Sequence, residues 1–252
     1  MGLPRGYISH SQIRTYNECP RKYYFAYVEE LRPPLNEKVF LGEVFHAAIE
    51  SYFRQKIDGS PLSAEGTAAA FRSAFDAGAA SREIVWQTSR RETRARGLAF
   101  LKHFLEAMAP AIRPLMVEKE LSAVLPGSGV QLKGIIDLVE EDYCLTDFKT
   151  TTSRWSESRA RNSPQMLIYK YLFDSSFGPV ATGLKYEVLF GKTSARVRHQ
   201  TLRVVPGPGA MDDLLAMVGH VAERIETGVF PAGKGRCCRY CEFRASCCEK
   251  EL

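Results

Sequence analysis

Gly134-Ile135-Ile136-Asp137, followed by Asp147-Phe148-Lys149-Thr150, is the stretch on which the fold turns. An apolar run closes on a carboxylate, and an Asp-x-Lys follows ten residues later on what reads as the next strand. Glu141-Asp142 between them reads as the turn of a hairpin. On neighbouring hairpin strands, Asp137 and Asp147 can converge on one ion. Residues two apart project from the same face of a strand, which puts Lys149 beside Asp147. Phosphodiester cleavage needs such a set. A divalent cation polarises the phosphate and generates hydroxide at neutral pH, and an ammonium orients water or stabilises the developing charge. Mg²⁺ takes oxygen ligands at about 2.0–2.1 Å, and the Phe148 carbonyl can add one to the carboxylates. The bland alternative is two aspartates at strand ends, solvated or paired with Lys149.

Working outward, residues 116–124, 129–140 and 143–149 read as three short strands, with Pro126-Gly127-Ser128-Gly129 as the first turn. Upstream, 9–28 reads as an interrupted helix, with Ser11 as a cap and Pro20 opening its second part. Residues 38–57, 62–80 and 88–108 carry helical spacing, and Pro110 and Pro114 end that run. Downstream come a helix at 163–174, strands at 183–190 and 196–205, a helix at 209–227 and a cysteine-rich tail. The expectation is an α/β (α+β) fold: a central mixed sheet flanked by helices, with a helical N-terminal layer. One domain spans 1–252, divided into a helical part (1–115), a sheet core (116–205) and a C-terminal helix with its tail (206–252).

Three further features flank the centre. Gln165 and Tyr169 fall on one face of a helix. His46 can add an imidazole ligand for a Mn²⁺-like ion, and Gly42, one turn earlier, would let another element approach closely. Glu118 and Glu120 point to the same face of their strand; either can be an acidic ligand, and both can be merely solvated.

The composition is ordinary for a globular chain: 252 residues, 45% hydrophobic and 25% charged, with net charge +5. That mild excess permits nucleic acid without demanding it. No run is long and apolar enough to span a membrane. The opening residues lack the apolar core of a secretory signal, so a cytoplasmic location is expected. No Walker A pattern occurs, and any ATP-driven unwinding would come from a partner. Five of the seven cysteines crowd into residues 237–248, which reads as metal binding before disulfides. Cys238-x-x-Cys241-x₅-Cys247 alone suits a zinc knuckle. With the distant Cys19-Pro20 it makes a four-thiolate set spanning the chain, of the kind that binds Zn²⁺ or an iron–sulfur cluster.

These strings, in this order, resemble the RecB-type PD-(D/E)XK nucleases. They are Tyr16-x-x-Cys19-Pro20-x-x-Tyr23, Gly42-x-x-x-His46, Gly134-x-x-Asp137, Asp147-Phe148-Lys149, Gln165-x-x-x-Tyr169 and Cys238-x-x-Cys241-x₅-Cys247. The iron–sulfur branch, with CRISPR-associated and phage RecB-like exonucleases and the AddB nuclease domain, is the most similar. The resemblance covers residues 9–248. It implies His46, Asp137, Asp147 and the Phe148 carbonyl as ligands of Mg²⁺ or Mn²⁺, and Lys149 as the catalytic lysine. Gln165 and Tyr169 would line the DNA path, and Cys19, Cys238, Cys241 and Cys247 would hold a structural [4Fe–4S] cluster. Cys237 and Cys248 lie outside that pattern, and Asp147 stands where many relatives have Glu. The implied activity is exonucleolytic cleavage at DNA ends, preferring single strands. The alternatives are an end-trimming subunit working with a helicase or in a CRISPR-adaptation or recombination complex, a non-catalytic DNA-binding scaffold, and a zinc-binding interaction module.

Overall fold

The structure is a computed structural model and describes residues 2–60, 62–233 and 235–249, so the end of the expected tail lies outside the described residues. Strand β1 (Ile8–Ser9) runs straight into helix α1 (His10–Glu18). Ser9, not Ser11, is the cap: its side chain accepts the Gln12 N–H. Helix α2 (Pro20–Tyr23) follows after a break at Cys19, which is extended (φ −165, ψ 116). The proline ring disfavours a helical conformation in the residue before it, and that separates the two helices. A π-helical turn, Tyr24–Val28, completes this segment.

Strand β2 (Leu35–Asn36) leads into α3 (Glu37–Ile57), capped by Asn36. Helix α4 (Ala64–Ser81), strand β3 (Ile84–Val85) and α5 (Arg90–Ala107) complete the N-terminal layer, and Ser89 with Glu92 forms a reciprocal capping box on α5. Seven phenylalanines of α3–α5 (40, 45, 53, 71, 75, 100 and 104) are fully buried here. Gly97 is required: a Cβ there would lie 2.3 Å from the Phe71 ring and 2.6 Å from Leu41. The buried Glu37 carboxylate ties the layer to the β3–α5 loop. It accepts the N–H groups of Gln87 and Thr88 at 2.8 and 2.9 Å and faces Arg96 at 3.5 Å.

The six-stranded sheet comprises β1 together with β4 (Pro114–Val124), β5 (Gln131–Glu140), β6 (Cys144–Thr151), β7 (Gly183–Phe190) and β8 (Arg198–Arg203). Neighbours pair antiparallel except β1 with β5, parallel at two positions, and β6 with β7, parallel over eight. Their crossover carries α6 (Glu157–Arg161), absent from the sequence reading, and α7 (Gln165–Ser176). Helices α3–α5 cover one face of the sheet through Leu138, Phe148 and Leu189. Helices α7 and α8 (Ala210–Glu226) cover the other through Leu132, Ile136, Leu145 and Val188. The expected mixed α/β architecture, a central mixed sheet flanked by helices, is present.

A 3₁₀ turn (Arg236–Tyr240) and α9 (Arg244–Glu249) form the tail. It docks on the N-terminal helices: Tyr16 donates to the Val229 carbonyl at 2.6 Å, Arg21 N–H to Pro231 O at 3.2 Å, and the Phe25 and Phe243 rings lie 5.9 Å apart.

Candidate active site

Strands β5 and β6 pair at only two positions, Leu138↔Thr146 and Val139↔Leu145. The next pair in that register is Asp137 and Asp147, and there the strands part. Beyond this point β5 instead takes β1 alongside it, at Leu132 and Lys133. The two aspartates therefore stand at the crotch of a fork in the sheet. Side chains take over the main-chain groups of Phe148. Its N–H donates to Asp137 Oδ2 at 2.8 Å, and its carbonyl lies 2.9 Å from His46 Nε2. His46 Nδ1 is 3.4 Å from Asp137 Oδ2. The Phe148 ring, packed between Phe53 and Phe104 at 5.8 and 5.7 Å, anchors this backbone in the helical core.

Asp147 is 1% exposed. Both of its oxygens are buried and accept no well-aligned hydrogen bond; their one close partner is the Lys149 ammonium, 2.7 Å from Oδ2. Burial, then the Asp137 charge, pushes the Asp147 carboxyl up to about 7, against the pull of Lys149. Opposite Asp137 on the other side stands Glu118, which falls between the pairs Val117↔Leu138 and Lys119↔Ile136. It has φ +46, a left-handed conformation uncommon for a side chain of this size. The strand's simple alternation does not survive that twist. Glu118 turns to the fork, while Glu120 is exposed and pairs with Lys133 at 2.8 Å. The two glutamates, which the sequence left open, are thereby told apart by their partners. Burial, then Asp137 and Glu50, raises Glu118 to about 7.

One ligand atom from each of His46, Glu118 and Asp137 lies within 4.8 Å of the others, the one such group among the described residues. The converging trio thus contains Glu118, which the sequence left open, and Asp147 stands beside it. The donor set fits a hard divalent cation: two carboxylates, an imidazole and a carbonyl, with a further buried carboxylate lacking proper donors. The 2.9 Å between His46 Nε2 and the Phe148 carbonyl also suits neighbouring ligands in an octahedral shell, whose edge is about 3 Å.

Gln165 donates to Tyr169 Oη at 2.9 Å, and both are buried, at 7% and 5% exposure. A ring so covered offers no face to a base, so the expected contact with a strand gives way to a position beneath the aspartates. Burial, then the charges of Asp147 and Asp137, raises the Tyr169 hydroxyl well above its ordinary value. Gly134 makes this possible: a Cβ there would sit 2.8 Å from Leu172 and 3.5 Å from the Tyr169 ring. Gly42 has no such constraint, since a Cβ would meet only Thr150 Oγ1, at 3.7 Å. His10 and Tyr186 were missed in the sequence. Burial, then Lys149 and Arg14, pushes His10 down to about 3, and the Lys149 ammonium lies 6.0 Å from the Tyr186 ring. Tyr186 was findable in principle, as the register partner of Asp147 on β7.

Cys19, Cys238, Cys241 and Cys247 are free thiols lining one cavity of about 590 Å³, together with Arg21, Lys22, Arg239 and Arg244. The Gly233 N–H donates to Cys19 Sγ at 3.4 Å, and Cys238 Sγ donates to the Gly233 carbonyl at 3.4 Å. Among the described residues, no three of these sulfurs lie within 4.8 Å of one another. A single Zn²⁺ with Zn–S bonds of about 2.3 Å would draw four sulfurs to about 3.8 Å apart. The placement is too open for that.

The sequence profile described as "PD-(D/E)XK nuclease superfamily" matches residues 7–248. Among solved structures, a "Putative exonuclease" from Eubacterium rectale superposes with TM-score 0.59 at 14% identity, covering 94% of this chain and 88% of that one. The protein SSO0001 aligns with TM-score 0.36 at 15% identity over 85% of each chain. No curated protein matches significantly. Among the described residues, no helix is long and apolar enough to cross a membrane.

Proposed function

We propose that this chain, which belongs to the PD-(D/E)XK nuclease superfamily, is a Mg²⁺- or Mn²⁺-dependent deoxyribonuclease that acts exonucleolytically at DNA ends and prefers single strands. The observation that carries the reading is the fork itself. His46, Glu118 and Asp137 converge at its mouth, and the buried Asp147 lacks well-aligned donors beside Lys149. His46, Glu118, Asp137, Asp147 and the Phe148 carbonyl would hold the cation, which when bound supplies Lewis acidity to the phosphate and acidifies water. Asp147 holds the Lys149 ammonium in place at 2.7 Å, from where it stabilises charge developing on the phosphate. The Phe148 N–H fixes the Asp137 rotamer, and Gln165 with Tyr169 closes the floor against water. The E. rectale protein that shares the fold is described as a "Putative exonuclease", which supports the exonuclease reading. A helicase or a CRISPR-adaptation or recombination complex is the proposed working context.

We further propose a [4Fe–4S] cluster on Cys19, Cys238, Cys241 and Cys247. Its support is the shared cavity, whose lining includes Arg21, Arg239 and Arg244, with Lys22 there paired to Glu18 and Glu242. A bound cluster would cross-link the tail to the N-terminal helices.

The test of the nuclease reading is end-labelled single- and double-stranded DNA with Mg²⁺, Mn²⁺ or chelator. Wild type should shorten ends only with metal, and Asp147→Asn should not cut. Metal-independent cutting, or an active Asp147→Asn, would refute the assignment.

A further inference from the structure

Beside the fork lies a group of positive side chains without counter-ions. On the helical layer, arginines pair with carboxylates: Arg54 with Glu50, Arg82 with Glu43, Arg90 and Arg94 with Asp76. Arg14 on α1 and Arg159 on α6 do not. Both are exposed, and neither guanidinium has an ion pair or hydrogen bond among the described residues. They nevertheless stand close enough for the Arg14 charge, after burial, to lower the Arg159 pKa. An anion bound near both would offset these like charges.

The group connects to the fork by two routes. Along α1, His10 and Arg14 are one turn apart on the same face, and His10 lies within the field of both Arg14 and Lys149. Across the sheet, the Lys149 ammonium is 6.0 Å from the Tyr186 ring, Tyr186 is 5.2 Å from Trp155, and the Arg159 guanidinium sits 4.1 Å over the Trp155 ring. Trp155 is itself fixed, its carbonyl accepting the Gln200 side-chain N–H at 3.0 Å. The stack removes rotamer freedom from Arg159 before any ligand arrives and leaves its edge free for a planar, two-oxygen contact.

We propose that Arg14 and Arg159 form a phosphate-binding subsite for the nucleic-acid strand leading away from the cleaved bond, with Arg159 pre-positioned by its stack on Trp155. This rests on the nuclease reading above. The group contacts backbone charge rather than base edges, so it holds a strand in register with Lys149 without regard to sequence.

The experiment measures affinity for a single-stranded oligonucleotide across a salt series, with chelator present so that nothing is cut. Both arginines are exposed, so Arg14→Gln/Arg159→Gln should melt like wild type. Losing two phosphate contacts should lower the slope of log K against log[salt] by about 1.4 and weaken low-salt binding about tenfold or more. The Arg14→Lys/Arg159→Lys protein should keep the slope. A glutamine variant with unchanged slope and affinity, in a protein that cuts DNA in an Asp147-dependent way, would overturn the subsite alone. A wild type that neither binds nor cuts would overturn the nuclease reading and this proposal with it.

Discussion

Replacing Glu118 by glutamine should make the metal-free protein more stable while removing its response to metal. Burial and the charges of Asp137 and Glu50 raise Glu118 from 4.5 to about 7, against the opposing pull of Arg54. At about 1.36 kcal/mol per unit, that shift corresponds to ~3 kcal/mol against the ionised folded form. The residue is only partly covered, and solvent screening reduces the figure to about 1–2 kcal/mol. The sign follows from an acid whose folded pKa lies above its unfolded one. The penalty is absent below the unfolded value, grows between the two, and is complete above about 7. Glutamine keeps the shape and removes the charge, so at pH 8 with chelator the variant should melt about 2–6 °C higher. With Mn²⁺ the order should reverse. Wild type gains stability by mass action on the folded state, whereas the variant, short of one ligand, should show a much smaller shift and little cleavage. Circular dichroism melts with and without Mn²⁺ read both effects. A variant less stable than wild type in chelator, or one with the full Mn²⁺ shift, would refute the placement of Glu118 in the cation site.

Lys149→Ala should lower the single-turnover rate by orders of magnitude with little loss of DNA affinity, because its proposed contact strengthens in the transition state; normal turnover with weakened binding would make it a phosphate contact only. Glu37 titrates with the opposite sign to Glu118. Burial alone would raise it, but the N–H groups of Thr88 and Gln87 and the Arg96 charge hold it below the ordinary carboxylate value. Its contribution is therefore present above the unfolded pKa and is lost as pH falls through the lower folded one. Glu37→Gln should cost about 2–4 kcal/mol in urea melts at pH 7 and flatten the acid side of the stability curve; an unchanged acid arm would sink this. Cys241→Ala should give colourless protein with a lowered melting temperature, since the proposed cluster closes a loop of roughly 220 residues between Cys19 and the tail, and a disulfide closing even about 100 residues is credited with about 4–5 kcal/mol. Iron and sulfide analysis of wild type should find about four of each, and one zinc in their place would end the iron–sulfur reading.

The parts of this protein that were legible in its sequence are those specified within a short stretch of chain. Helical spacing over 38–57 and the β-turn chemistry at Glu141-Asp142 are local, and the elements formed near those positions, α3 at Glu37–Ile57 and the β5–β6 hairpin. Given the hairpin, the period of two places Asp147 and Lys149 on one face, and their 2.7 Å contact follows. Helical spacing likewise delivered the Gln165–Tyr169 bond.

What tertiary structure alone decided involves partners distant in sequence or a break in periodicity. Strand β1 has two residues and exists only because β5 has a free edge where β6 leaves it. The sequence could not choose between Glu118 and Glu120, because the period of two treats them alike; only the packed structure brings Glu118 to His46 and Asp137 and pairs Glu120 with Lys133. Burial of Tyr169 depends on α7 settling onto Gly134, and the Arg159–Trp155 stack on a five-residue helix too short to leave a periodic trace. His10 carries no motif; burial, then the charges of Lys149 and Arg14, lowers its pKa. Local propensity acts through neighbours in the chain, whereas the depth, field and partners of a side chain are set by elements up to the whole length of the chain away, and those become definite only when the layers close.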